Sequence, residues 1–153
     1  MARSDGTQGK YGGHIISDLV MPEAKQRIDA EYRKYARRVR WIDDDMVPGS
    51  FHMNTAWFFK PGPTLENKAH SHDCDELIGF FGSAPENPDD LNGEVSIFLE
   101  DEEHIITRSA IIFVPAGMTH CPLALNRVDK PIFHFTTVNI GQYKVLPPGE
   151  AKV

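Results

Sequence analysis

The chain has 153 residues, 41% of them apolar, and a formal net charge of −6. That is one domain's worth of chain, long enough to bury a core, and its acidic balance argues against nucleic acid as a partner. No segment approaches the roughly 20 consecutive apolar residues of a membrane-spanning helix, the N-terminal stretch lacks a signal peptide's apolar run, and a cytoplasmic location is the expectation.

Residues 1–12 are polar and glycine-rich and read as a mobile segment or an arm on a partner subunit, with residues 13–153 forming one domain. Residues 14–20 read as a short strand. Pro22 suits a helix's first turn, and Ala24, Ile28, Tyr32 and Tyr35 recur at the spacing of one helical face, which predicts a helix over 22–36 packed outside the domain. Glu23 near its start and Arg33, Lys34, Arg37 and Arg38 near its end match the helix dipole. In an acidic chain those basic residues read as a solvated helix end rather than a nucleic-acid patch.

From Phe51 onward the period changes to that of strands. Phe51, Met53, Thr55, Trp57 and Phe59 share one face, and Pro61-Gly62-Pro63 ends the run. Residues 83–93 read as a polar loop, 94–99 as an alternating strand, and 100–103 as an exposed acidic turn. Residues 105–114 continue the sheet, 126–131 form a second turn, and 132–140 are the last strong strand. One helical period followed by repeated alternation predicts an all-β, antiparallel fold with a short N-terminal helix outside it. No internal repeat is visible.

The chemistry concentrates between residues 70 and 120. His70 and His72 are two apart, so on an extended backbone both imidazoles project to one face. Glu76 follows after Asp73-Cys74-Asp75, which are turn-tolerant residues, and His120 arrives later behind the turn Pro115-Ala116-Gly117. Three neutral imidazoles and a carboxylate suit Fe, Mn, Ni, Cu or Zn as a divalent ion, rather than Ca or Mg. Asp73 and Asp75 are candidates to accept the second ring N–H of a ligand histidine; a solvated turn is the competing reading. Ile78 and Phe80 share the parity of Glu76 and are expected to wall the site. His134 alternates with Phe133 and Phe135 and is the one weak candidate for a catalytic acid–base role, with His52 and Asn54 weaker on the same logic; His14 and His104 have no supporting context. Cys74 and Cys121 read as reduced structural thiols, with Cys121 facing away from the metal if His120 faces it.

At these residues the chain resembles the cupin superfamily, whose first motif is His-x-His followed by Glu and whose second is Pro-x-Gly-x-x-His. His70, His72 and Glu76, then Pro115, Gly117 and His120, meet both spacings within residues 50–140. Gly62 and Gly82 lie off the positions the family's glycines usually hold, Ser109 stands where the second motif often opens with glycine, and Ala124 replaces a common Asn. The resemblance implies an antiparallel jelly-roll barrel holding one divalent transition metal through His70, His72, Glu76 and His120. It also implies a homodimer, pairing through sheet edges or an exchanged N-terminal arm. The expected function is a metal-dependent enzyme acting on a small oxygen- or thiol-chelating molecule: a dioxygenase first, then an isomerase, decarboxylase or lyase. A non-catalytic cupin that binds or senses a small molecule through its metal is the alternative, and a metal that only holds the barrel together is a third.

Overall fold

Alternation along the strands sorts side chains into two populations, and the computed structural model, which describes residues 9–63, 68–142 and 144–148, shows where each goes. In order, the chain forms α1 (Glu23–Tyr32), β1 (Ala36–Ile42), β2 (His52–Phe58), β3 (Gly62–Pro63), β4 (Glu76–Gly82) and β5 (Asp90–Leu99). It continues with β6 (Glu102–Arg108), β7 (Ala110–Val114), β8 (His120–Val128) and β9 (Ile132–Val138). These make two antiparallel sheets, of strand order β1-β2-β9-β4-β7 and β3-β8-β5-β6. The expected two-sheet jelly roll with a short helix is what the chain forms.

The core lies between the sheets. Phe58, Ile78 and Phe80 from the first meet Leu91, Val95, Ile97 and Leu125 from the second, all 2% exposed or less. Each such side chain contributes roughly 1.5–3 kcal/mol by leaving water, so the sheet-to-sheet contact carries the fold.

Several expectations need correction. No strand forms over 14–20; Gly12–His14 is a single 3-10 turn and Ile15, Leu19 and Val20 stay exposed. The helix stops at Tyr32 because its last turn tightens, Lys34 N–H donating to Glu31 O and Tyr35 N–H to Tyr32 O. Its packed face is Asp29 and Tyr32, while Ile28 is exposed, so the apolar stripe is not what seats it. Tyr32 packs edge-on against Phe58 and Tyr35, ring centroids 6.1 and 5.4 Å apart. Strand β1 was not expected at all, since Arg37, Arg38 and Arg40 hide its alternation. Charged residues are common on such an edge strand because they discourage pairing with another chain.

The stretch read as one strand over 105–114 is two strands in different sheets. The chain crosses at Ser109, whose N–H donates to Asp89 O (2.8 Å) and whose hydroxyl donates to Pro88 O (2.6 Å) and accepts from Gly82 N–H (2.9 Å). β5 begins at Asp90, so four residues of the predicted loop belong to a strand. Of the N-terminal segment expected to be mobile, residues 1–8 lie outside the described residues. No helix among the described residues is long and apolar enough to cross a membrane.

Candidate metal centre

His70 and His120 come together through the backbone before any side chain is considered. His70 N–H donates to His120 O (3.0 Å) and His120 N–H to His70 O (2.9 Å), the reciprocal pair of an antiparallel bridge, which puts both side chains on one face. The next residue, Ser71, makes the same reciprocal pair with Leu146 on its other side, at 2.9 Å each way, so the His-x-His segment is held extended between two neighbours. His72 O then accepts Gly117 N–H at 2.8 Å, with Gly117 in the left-handed region at φ +85, a conformation that favours glycine at this turn.

The imidazoles of His70, His72 and His120 are buried, and one ring nitrogen of each lies within 4.8 Å of the others. Glu76 points into the same cluster: its Oε2 is 2.9 Å from His120 Nε2 and 3.2 Å from His72 Nε2. The other nitrogen of each ring is committed elsewhere. His70 Nδ1 donates to Lys68 O (2.8 Å), His120 Nδ1 to Met118 O (3.1 Å), and His72 Nδ1 to Lys144 O. A carbonyl can only accept, so every Nδ1 carries the proton and every Nε2 presents its lone pair to the shared centre.

That arrangement tests well for a metal. The two Glu76 oxygens and His120 Nε2 are buried without a well-formed hydrogen bond among the described residues. Lone pairs gathered around a carboxylate repel, and a buried polar cluster left so unsatisfied requires an explanation. A divalent cation supplies one, since all four groups are donors suited to borderline transition ions. Burial pushes the Glu76 carboxyl up, and a cation at this point would offset that and keep it anionic as the fourth ligand.

The expected acceptors for the ring N–H groups, Asp73 and Asp75, do not serve that way: the backbone carbonyls of Lys68, Met118 and Lys144 do. Asp73 is exposed, and Asp75 instead fastens the loop, accepting Ala116 N–H at 3.0 Å while its own N–H donates to Asn139 Oδ1 at 3.2 Å. Cys121 also departs from expectation. Between Leu123 and His120, β8 spends three residues where β5 spends two, so this bulge turns both His120 and Cys121 inward. Both cysteines are buried thiols, and burial pushes Cys74 up to about 11, well away from a reactive thiolate.

The inner face of the five-stranded sheet continues the polar site. Register places His52, Val138, Glu76 and Val114 in one row across it, and Asn54, Thr136, Ile78 and Ile112 in the next. A third row holds Arg38, Ala56, His134, Phe80 and Ala110. Ile78 and Phe80 are therefore on the side of Glu76, as their parity implied, and His134 is not part of the ligand cluster. Its ring is stacked between Phe58 and Phe80, 4.9 and 4.8 Å away, and Nδ1 donates to Gly79 O at 3.0 Å. Burial lowers its pKa to about 4, so it is neutral at pH 7. His52, likewise lowered to about 4 by burial, accepts from Asn54 Nδ2 on Nε2 (3.1 Å) and packs on Trp41.

Arg38 is the residue that sequence reasoning misplaced. Read as part of a solvated helix end, its side chain is 8% exposed, against 66% for Arg33 and 67% for Lys34. A bulge at Val39 lets Arg38 and Trp41 both face inward. The available signal was parity: Arg38 shares it with buried Ala36 once these residues are read as strand rather than helix.

No family model matches the sequence, and neither does any curated protein. Solved structures do match. A cupin 2 domain-containing protein from Halorhodospira halophila is 12% identical over 77% of this chain and 73% of its own, with a TM-score of 0.52. The DMSP lyase DddQ from Ruegeria pomeroyi DSS-3 is 15% identical over 89% of this chain, with a TM-score of 0.50; the match spans 64% of the lyase. Taken with the two sheets and the histidine cluster between them, these likenesses establish that the chain has the cupin fold.

Proposed function

We propose that the protein is a metal-dependent enzyme acting on a small organic molecule, with His70, His72, Glu76 and His120 holding one divalent transition metal. The observation that carries this reading is the set of three Nδ1–H donors tied to backbone carbonyls, which fixes three Nε2 lone pairs on one buried point beside a carboxylate. A metal held there would supply Lewis-acid polarisation of a chelated oxygen or sulfur, or dioxygen chemistry if the ion is iron. The chain's own residues do the rest. Ile78 and Val114 exclude water on one side, and His52 and Asn54 offer neutral hydrogen-bonding groups on the same sheet face. Polar groups beyond the four ligands are what a substrate pocket needs and a purely structural metal does not.

Dioxygen addition to a chelating phenol, diketone or thiol is the first reaction to test. Isomerisation, decarboxylation and lyase chemistry, the class of the Ruegeria protein, follow. Metal analysis of protein purified anaerobically identifies the ion. Apo-protein reloaded with each candidate is then given small chelating acids and thiols while oxygen uptake and product mass are followed. Turnover with one metal supports the enzyme; tight ligand binding without turnover under every metal converts it to a binding module. The homodimer belongs to the same proposal, since Phe51, Ile111 and Phe113 expose apolar surface on the outer face of the first sheet. A 17.2 kDa particle by light scattering across micromolar concentrations would contradict it.

A further inference from the structure

We infer that Arg38, assisted by Asn54, is an anion anchor within the barrel, so that the substrate is a small organic acid gripped by the metal at one end and by Arg38 through a carboxylate at the other. The inference rests on the reading of the four ligands as a metal centre and adds the substrate's second handle.

A guanidinium has five N–H donors in a fixed fork. Arg38 is buried, and its hydrogen bonding among the described residues amounts to one long bond, Nη1 to Asn54 Oδ1 at 3.3 Å; Nε is buried with no hydrogen-bond partner. The neighbouring carboxylate does not satisfy it. Asp29 gives its Oδ2 to Arg33 at 2.5 Å, and its Oδ1 stays 3.7 Å from Arg38 Nε, beyond hydrogen-bonding reach. Arg33 is 66% exposed and its charge lies in water, so the buried charges are those of Arg38 and Asp29. They balance at 3.7 Å but leave the guanidinium's N–H groups short of hydrogen bonds, which is costly in a buried place.

The fork is also held flat and aimed. Its carbon lies 4.2 Å from the Tyr32 ring centroid and 5.7 Å from that of Trp41, so aromatic rings support the plane and leave its edge for hydrogen bonding. Arg38 lies on the inner face of the sheet that carries Glu76, beside Ala56. Its partner Asn54 reaches His52, which shares a row with Glu76. One row along the strand and two strand spacings across separate Asn54 from Glu76, roughly 12 Å along the sheet and less across its concave face. A short carboxylic acid spans that gap. Bidentate pairing with a carboxylate is what the unfilled fork is shaped for.

The test measures binding and needs no turnover. Zinc-loaded protein is titrated calorimetrically with the dicarboxylates from succinate to adipate and with their mono-amides, which keep length and lose one charge. The expected result is that at least one diacid binds about tenfold or more tightly than its mono-amide. In Arg38→Gln that diacid should fall to the amide's affinity while the amide is unchanged. Equal binding of every diacid and amide by the wild type, with zinc bound, overturns the anchor. So does an Arg38→Gln protein that loses melting temperature but keeps the preference, which would make Arg38 only a tether for α1. Should Arg38→Gln fail to fold, Asn54→Asp decides: a carboxylate beside the guanidinium takes its donors, so a persisting preference refutes the inference. Failure of zinc to bind at all strikes the metal centre instead and is read separately from the same titration.

Discussion

The two sheets of this barrel face each other across one core yet do different work. On the inner face of the four-stranded sheet stand Leu91, Val95, Ile97, Leu123 and Leu125, all apolar and nearly inaccessible. The inner face of the five-stranded sheet carries Arg38, His52, Asn54, Glu76, His134 and Thr136 among its apolar residues. One sheet is therefore the floor that holds the fold, and the other presents chemistry above it. The exception is informative: His120 is the first residue of β8 in the apolar sheet, and it reaches the site because a bulge turns it inward. A barrel built this way can change its polar face without losing its core, provided the apolar sheet is left intact.

The largest expected effect breaks the polar side alone. His72→Ala removes one of the four proposed ligands and should lower metal affinity by about two orders of magnitude or more, at least the loss seen when a mere supporting partner is removed. The barrel should still fold, since its apolar contact is elsewhere. Metal content by mass spectrometry and far-UV circular dichroism read the two effects independently, and full occupancy in the folded variant would remove His72 from the ligand set. The converse substitution is Ile97→Ala. It should cost about 2–5 kcal/mol of stability in denaturant unfolding by leaving a cavity, while metal stoichiometry in the folded protein stays that of the wild type. If Ile97→Ala lost metal instead, the two sheets would not be separable.

How much of this division could be read from the chain depends on what kind of group does the work. The four proposed ligands are side chains with sharp chemistry, three of them at short spacings and His120 behind a recognisable turn, so the sequence pointed to them. The groups that orient them are carbonyls of Lys68, Met118 and Lys144, and a carbonyl has no residue identity to read. Lys144 is 72 residues from the ring it holds, beyond any local pattern. The strands with clean alternation, β2, β4 and β9, were legible. β1 was not, because three arginines and a bulge erase its period, and with it went Arg38. The crossing at Ser109 was hidden for the opposite reason: apolar residues run on through both strands, and only tertiary hydrogen bonds mark the change of sheet.

A pH titration sharpens the comparison through His52 and His134, two neutral histidines buried on the inner face of the polar sheet. Burial lowers His52 and His134 from 6.5 to about 4. Above pH 6.5 both are neutral whether folded or unfolded and contribute no slope. Between 6.5 and 4 the unfolded chain takes up protons that the folded one refuses, so stability falls as pH falls and levels off below 4. Each residue should account for about 2–3 kcal/mol across that window. In His134→Gln the loss between pH 6.5 and 4 should be smaller than in the wild type by one residue's share. Identical slopes in urea unfolding would mean that His134 titrates normally.

The smallest effect lies on the outer face of the polar sheet, where Trp57 stands directly opposite Phe133 with ring centroids 5.2 Å apart and planes at 60°. An edge-to-face pair across two strands is worth about 0.5–1.5 kcal/mol, and Trp57 is 38% exposed, so water already reaches part of it. Trp57→Thr puts in a β-branched residue that also suits the strand and should cost about that much, with no change in metal affinity, because the side chain points away from the site. The measurement is chemical denaturation at two protein concentrations tenfold apart. A loss confined to this range and independent of concentration assigns Trp57 to local sheet packing. A loss above about 3 kcal/mol that grows on dilution would show that the outer face is covered by a second copy, since burial in an interface adds the transfer energy of a large aromatic to the pair. The polar sheet would then have its second face buried as well, and the proposed dimer would be built on the side opposite the metal.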